Sequence, residues 1–366
     1  MTDDELLELD GSAGGGQLLR TALALSMVAD RPFRMENVRG DRPTPGLKPQ
    51  HLAAVRAAAA VCDATVEGAE QGAEQLEFRP GTPTGGNVEI DVGTAGSVTL
   101  LFDALLPVAL RLGRPLSVTV TGGTDVKWSP TMTYYRRVKL PLLRRAGVFA
   151  AADCPRSGFY PVGGGRATLW LAPSSPSALD LTDRGSLEGV RVYSKASTDL
   201  AEGEVAERQA TTAAERLREG LDDGVSVTER TVSSVETDSP GSALAVALDY
   251  EETTAGFDAL GERGKPAEEV GSGAAESALA FREDDRGGAV DAHTADQLVA
   301  FLALAGGRVA IPEVTDHVRT GADLVTEFGF PVEIEDGDSK DAPVLSAPGT
   351  EYPGPVSSGA ERSGPE

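Results

Sequence analysis

Strand-like and helix-like segments alternate from the glycine-rich turn near residue 14 onwards, in two rounds of similar length. That recurrence constrains the fold more than any other feature, because a repeated supersecondary unit buries its apolar face against further copies of itself. In the first round, residues 17–29 have helical apolar spacing and 33–38 read as a strand. Residues 48–62 read as a helix with Pro49 in its first turn, and 65–67 with 75–78 as paired strands. In the second round, 87–92 is a strand, 97–112 a helix, 116–121 a strand, 131–146 a helix and 167–171 a strand. Residue identity between the rounds is low.

The composition shifts near Leu187. Residues 188–258 hold sixteen acids against six Lys and Arg, with a predicted helix at 203–219 and strands at 225–235 and 243–250. From 261 the earlier style returns, with helices at 266–281, 292–305 and 318–328 and a strand at 308–311. The predicted fold is therefore α+β with α/β-like repeats. A large domain is built of three repeated strand–helix units: 1–186 carries the first two and 261–345 the third. A smaller inserted α/β domain occupies 187–260. Residues 346–366, rich in Ser, Pro, Gly and Glu, are expected to be a disordered tail, because they bury too little apolar surface.

Charge bounds the setting. Thirty-three Lys and Arg stand against 57 Asp and Glu, a formal charge of −24, and the lysines are only Lys48, Lys127, Lys139, Lys195, Lys265 and Lys340. A surface spread with carboxylates repels itself in dilute salt. The screening length falls from about 10 Å at 0.1 M to about 3 Å at 1 M, which removes most of that repulsion. The chain reads as a protein of a salt-accumulating, halophilic cytoplasm. Its acidity reports the solvent and does not exclude nucleic acid as substrate. No apolar run reaches the ~18 residues of a membrane span. The acidic start lacks the features of a signal peptide. Two cysteines are too few for a disulfide framework, and with three histidines they make a clustered zinc site improbable. No membrane partner is expected, and the oligomeric state stays open.

Four motifs carry potential chemistry. Asp10-Gly-Ser-Ala-Gly-Gly-Gly-Gln-Leu-Leu-Arg20 puts three glycines before a helix, where free N–H groups and the helix dipole suit an anion. It is neither a Walker loop nor a dinucleotide fingerprint, and a plain tight turn explains it as well. Arg39, Arg42 and Lys48 sit on a loop stiffened by Pro43, Pro45 and Pro49, which suits phosphate binding. A solvated turn with ion pairs to Asp41 and Glu36 is the bland alternative. Residues 127–145 hold Lys127, Arg136, Arg137, Lys139, Arg144 and Arg145 with no acid, interleaved with Trp128, Tyr134 and Tyr135. This segment either tracks a nucleic-acid backbone or pairs internally. Finally, His317 lies at an expected helix start with Thr315 and Asp316 as cap candidates. A helix N-terminus favours the neutral ring, which can act as nucleophile or base.

These segments, in this order, resemble the RNA 3′-terminal phosphate cyclase family. The matching residues are Leu9-Asp-Gly-Ser12, Gly14-Gly-Gly-Gln-Leu-Leu-Arg-Thr-Ala-Leu23, residues 39–51, Gly93-Thr-Ala-Gly-Ser97 and Gly122-Gly-Thr-Asp125. Gly158-Phe-Tyr-Pro-Val-Gly-Gly-Gly165, Ala295-Asp-Gln-Leu298 and His317 with Thr320 complete the match, which runs from about Leu9 to Phe330. The resemblance implies ATP-dependent closure of an RNA 3′-phosphate to a 2′,3′-cyclic phosphate, through a histidine–AMP and then an RNA(3′)pp(5′)A intermediate. It implies His317 as the nucleophile. Pro130 and His293 are implied beside the adenine, His293 standing where relatives carry tyrosine. Asp296 and Gln297 are implied beside the nucleotide, and Arg20, Arg39, Arg42, Gln50 and His51 near the nucleotide and RNA phosphates. The implied partners are ATP and an RNA with a 3′-phosphate end; the implied cofactor is a divalent metal, Mg or Mn. The metal ligands are unknown. Many relatives hold the metal with a glutamate just before the glycine triplet, where this chain has Ala13. Glu8, Asp10, or nucleotide phosphates with water are left to serve. Asp103 stands where some relatives have glutamine. Non-catalytic relatives of the same fold act as RNA-binding ribosome-assembly factors; they lack the histidine. An enolpyruvyl transferase shares the repeated unit but predicts no covalent adenylate.

The charge makes a direct prediction: folding needs high salt. A melting temperature followed by circular dichroism should rise steeply between about 0.1 and 2 M KCl, as screening tightens several-fold. An unchanged midpoint would remove the halophilic reading.

Overall fold

The computed structural model describes residues 6–222, 224–338, 340–349 and 353. The first unit runs β1 (Leu7–Asp10), α1 (Gly15–Ala29), β2 (Phe33–Glu36), α2 (Pro49–Cys62), β3 (Thr65–Glu67), β4 (Leu76–Arg79). Its sheet has the order β1-β2-β4-β3, with β1 and β2 parallel and the other pairs antiparallel. The second unit runs β5 (Gly86–Asp91), α3 (Val98–Leu105), β6 (Leu116–Gly122), α4 (Met132–Tyr134), α5 (Leu140–Arg145), β7 (Ala150–Arg156), β8 (Gly165–Leu171). Its sheet, β5-β6-β8-β7, repeats the same pairing. The third unit begins at β9 (Leu179–Leu181), is interrupted, and resumes much later.

The interruption consists of β10 (Leu187–Ser197), α6 (Val205–Gly220), β11 (Val227–Val235), β12 (Ser242–Tyr250), β13 (Thr254–Leu260) and α7 (Ala267–Glu283). The third unit then continues with α8 (Ala292–Ala305), β14 (Gly307–Ala310), α9 (Asp316–Glu327), β15 (Glu333–Glu335) and β16 (Val344–Ala347). Its sheet reads β9-β14-β16-β15, again with the first pair parallel and the rest antiparallel. The same βαβαββ unit thus occurs three times, and the insert enters the third between its first strand and its first helix.

Local chemistry sets these elements. Strand β6 alternates buried and half-buried residues, the period-two pattern of a sheet with one face on the core. Helix α1 is buried from Ala22 to Val28 on every side, because α2, α3 and α9 all pack on it. Side chains cap four helix starts: Ser97 accepts from the Leu100 N–H, Thr131 from Tyr134, Asp291 from Thr294 and Thr315 from Val318. Prolines shorten two expected helices. Pro107 follows the end of α3 at Leu105, and residues 106–110 continue as a 3₁₀ turn. Pro141 has no N–H to return to the preceding turn, and residues 135–139 widen into a π turn between α4 and α5.

Three expectations change. The helix expected to open the third unit is α7, which packs instead on α6, β12 and β13. Its Val270, Ala274, Ala275, Ala278 and Phe281 share the insert's apolar cluster with Val192, Leu217 and Val246. Gly271 permits this crossing, since a Cβ there would sit 2.5 Å from the Gln209 carbonyl oxygen. Strand β10 was missed in the sequence because it lacks alternation: from Val192 to Ser197 every residue is buried. Ser346 and Ala347, expected in the tail, belong to β16, where Leu345 is fully buried between β14 and β15. The tail beyond, apart from residues 348, 349 and 353, lies outside the described residues. Among the described residues no helix is long and apolar enough to cross a membrane.

One buried carboxylate ties three parts of the fold together. Asp291, just before α8, accepts from the Tyr134 hydroxyl at 2.6 Å and from the Gly256 N–H at 3.0 Å. It also accepts from the Thr294 N–H and hydroxyl, each at 2.9 Å. Tyr134 belongs to the second unit, Gly256 to the insert and Thr294 to the third unit. Burial, with Asp291 alongside, holds the Tyr134 phenol well above its usual titration range. Asp291→Ala leaves four buried donors without their partner and should cost about 3 kcal/mol or more, whereas Tyr134→Phe, which removes only the hydroxyl's contacts with Asp291 and Thr294, should cost about 1–2. Urea denaturation at high salt measures both; equal, small losses would show that the junction does not depend on the carboxylate.

Candidate active site

Helix starts from all three units converge on a cavity of about 610 Å³. The first unit contributes Gly14, Gly16, Gln17 and Arg20 from the turn and start of α1, then Arg39, Arg42, Lys48, Gln50 and His51. The second contributes Asp103 from α3, Trp128 to Pro130 from the loop before α4, and Lys139. The third contributes His293, Asp296 and Gln297 from α8 and His317 from α9. The ten residues that the family resemblance sets near nucleotide or RNA line this one space: His317, Pro130, His293, Asp296, Gln297, Arg20, Arg39, Arg42, Gln50 and His51.

The glycine turn works by absence of side chains. Gly15 has φ of +59°, and a Cβ there would lie 3.0 Å from an Arg42 guanidinium nitrogen. A Cβ on Gly16 would lie 2.3 Å from His51 Nε2 and 2.9 Å from Arg20 Nη1. Glycine thus lets Arg42, His51 and Arg20 close on the positive end of α1. Arg39 donates to the Thr44 and Gly46 carbonyls at 2.8 and 2.9 Å, which holds its loop. Among the described residues neither Arg39 nor Arg42 pairs with Asp41 or Glu36, so the bland alternative for this loop fails.

Five cations line the cavity, Arg20, Arg39, Arg42, Lys48 and Lys139, against two carboxylates, Asp103 and Asp296. In a chain of charge −24 this is a local inversion of sign. Burial pulls the Arg20 guanidinium down to about 10, opposed by Asp103. Burial likewise lowers the Lys139 ammonium, against its 2.5 Å pair with Asp103. Arg20, half-buried and with no ion pair among the described residues, is placed to take an anion that offers charge-assisted hydrogen bonds, whereas Lys139 is already neutralised by Asp103.

The histidines differ. His51 is 3 % exposed; its Nδ1 accepts from the Lys48 N–H at 3.1 Å. Burial, then Arg20, Arg39 and Lys48, push its ring down to about 3. His293 lies edge-on to Tyr134, ring centres 6.0 Å apart. His317 is exposed on the first turn of α9. Its helix start is fixed from both sides: the Thr315 hydroxyl accepts from Val318 and donates to Asp296 at 2.6 Å. Burial raises the Asp296 carboxyl, with Thr315, His317 and His293 acting to lower it.

Two sequence expectations are revised. The 127–145 segment is not a free basic track, because four of its six cations have side-chain partners, while Arg144, which donates to the Ala150 carbonyl, and Arg145 are exposed. Lys127 pairs with Glu262, Arg136 with Asp153 and Lys139 with Asp103, while Arg137 lies over the Tyr193 ring. Tyr134 and Tyr135 are fully buried and cannot stack on a base. As for metal ligands, Glu8 pairs with Arg34, and Asp10 accepts from Ser12 and Asn37; neither lines the cavity. Among the described residues no group of three His, Cys, Asp or Glu is placed to hold a metal ion. Sequence reading missed Asp291 and the Asp103–Lys139 pair, both visible only once distant segments meet. Gln297 Oε1 is buried without a partner beside the cavity.

A family model for the RNA 3′-terminal phosphate cyclase matches residues 12–335. The chain belongs to the RNA 3′-terminal phosphate cyclase family. It is 48 % identical to an RNA 3′-terminal phosphate cyclase of Halobacterium salinarum, a halophilic archaeon, over 93 % of this chain and 99 % of that protein. It is 41 % identical to the Archaeoglobus fulgidus protein of that name over 88 % and 95 %, and 40 % identical to the Thermococcus gammatolerans one over 90 % and 95 %. The cyclase-family match takes in the second unit, the insert and, but for the chain's first and last strands β1 and β16, the other two units, and the mixed α+β architecture fits it.

His51 generates a prediction with a definite sign. Its folded value near 3 lies below its ordinary 6.5, so the unfolded chain binds the proton that the folded chain refuses. Its contribution to stability is complete above about pH 6.5 and is lost progressively as pH falls toward 3. His51→Asn, which does not titrate, should flatten the decline in urea midpoint between about pH 6.5 and 5 at fixed high salt. Parallel pH profiles for the two proteins would show that His51 is not held neutral.

Proposed function

We propose that the protein converts an RNA 3′-phosphate to a 2′,3′-cyclic phosphate at the expense of ATP, through adenylylation of His317. The observation that carries this reading is the placement of an exposed histidine on the wall of the one cavity that also gathers Arg20, Arg39 and Arg42. An imidazole nitrogen of His317 attacks the α-phosphorus of ATP, a P–N bond forms, and pyrophosphate leaves. An oxygen of the RNA 3′-phosphate then attacks the same phosphorus; the P–N bond breaks and RNA(3′)pp(5′)A forms. The neighbouring 2′-hydroxyl attacks the 3′-phosphorus, closes the ring, expels AMP and gives up its proton. Splitting the reaction this way makes a poor electrophile, the phosphate monoester, reactive through a good leaving group.

Residues of the chain take definite parts. Arg20, Arg39 and Arg42 neutralise phosphate oxygens, aided by free N–H groups of the glycine turn. His51, neutral at working pH, and Gln50 offer polar contacts without adding charge. Pro130 and His293 offer flat apolar surface to the adenine, and Gln297 carries an unpartnered acceptor for an amino or hydroxyl donor. Asp296 positions His317 through Thr315. A divalent ion, Mg or Mn, accompanies ATP in this reading and would neutralise its phosphates. The described residues do not assemble a ligand set that fits a resident ion, with Asp103 already paired to Lys139.

α-Labelled ATP tests the reading. The protein in molar KCl should acquire one AMP per chain, labile to acid and comparatively stable to alkali. His317→Ala should abolish the adduct and cyclase activity together, while His51→Ala and His293→Ala still label, more slowly. A His317→Ala protein that labels like wild type would refute the assignment. Wild type that never labels would favour a non-catalytic RNA-binding protein of the same fold.

A further inference from the structure

The reaction above needs an RNA end held in place, and charge is a poor way to hold it in this protein. Each phosphate contact to a single strand makes affinity fall with salt, with a slope of about −0.7 per contact. At the salt read from the composition, that dependence removes most ionic affinity. Beside the cavity mouth, Lys127 is already paired with Glu262.

What the cavity mouth does present is an aromatic ring. Among the described residues Trp128 is the most exposed large apolar side chain, at 94 %, and it lines the cavity. Its backbone has φ of +61°, a region that bulky residues seldom occupy. The turn around it is braced: the Ser129 hydroxyl donates to the Val126 carbonyl at 2.9 Å, and Pro130 follows. A large indole is thus held in water by a stiff turn, and no packing among the described residues accounts for it.

We infer that Trp128 is a stacking platform for the 3′-terminal base of the RNA. This rests on the substrate reading above. The terminal phosphate enters toward Arg20, Arg39 and Arg42, while the base on the same nucleotide stays at the rim, against the indole. Base–indole stacking is tolerant of sequence because every base has a flat face, and it is not an ionic contact that salt screens. The chain therefore divides its contacts: charge gathered around the terminal phosphate, and an aromatic face at the rim for the base.

The chain contains two tryptophans, Trp128 and Trp170, so Trp170→Phe leaves Trp128 as the sole indole reporter. Titration of that variant with a short single-stranded RNA ending in a 3′-phosphate, at about 2 M KCl, should quench its emission saturably. Binding of dye-labelled RNA should weaken about tenfold in Trp128→Ala and recover largely in Trp128→Phe, the loss expected for one stacked base. An RNA with an abasic last nucleotide should bind both wild type and Trp128→Ala equally. Wild-type affinity in Trp128→Ala, or the same loss with the abasic end, overturns the inference alone. Wild type that binds no RNA overturns the substrate reading, and this inference with it.

Discussion

The fold depends on a single buried carboxylate at a three-way junction. Asp291 takes donors from the second unit, the insert and the third unit, and does so at the residue that starts α8. Helix α8 carries His293, Asp296 and Gln297 on its first turns. The junction therefore sets more than stability. It fixes the rotation and height of the helix that supplies the third wall of the cavity, and through Asp296 and Thr315 it reaches the helix start that bears His317. A buried charge with its lone pairs satisfied on every side has one arrangement that works, which is what a precise site requires.

The second theme is segregation of charge. The exterior is acidic, yet the cavity gathers five cations around two carboxylates. Solvent salt weakens exposed pairs and leaves buried ones largely alone. The residues given to phosphate are graded in their access to water: Arg20 and Arg39 are half-buried and Arg42 is exposed on its loop, and the glycines let Arg42 and His51 approach the end of α1 without an intervening side chain.

Much of this was legible in the sequence, for identifiable reasons. The paired rounds of strands and helices appear because β6 alternates cleanly and because α1 and α2 are long apolar stretches opened by a glycine turn and by Pro49. The loop of Arg39 and Arg42 stands out because cations on proline-stiffened chain are rare in so acidic a protein. Elements that depend on distant partners were hidden. Strand β10 is buried on both faces and shows no alternation. Helix α7 resembles the repeats in composition, and only the close crossing at Gly271 assigns it to the insert. The basic 127–145 segment misled because its partners, Asp103, Asp153 and Glu262, lie elsewhere in the chain. The placement of Trp128 at the mouth could not be read from periodicity, since an exposed tryptophan and a core one look alike in a sequence.

The position of the insert has a consequence for how the molecule assembles. The first two units are contiguous and rich in local pairings, so each can close as soon as its last strand leaves the ribosome. The third cannot: β9 waits beside an unfinished sheet until the whole insert has been made and β14 arrives to pair with it. Because the cavity takes walls from all three units, it is the last feature to exist. A nascent chain has no complete pocket in which to capture nucleotide or RNA, and an insert that misfolds leaves the enzyme open on one side, with its first two units intact.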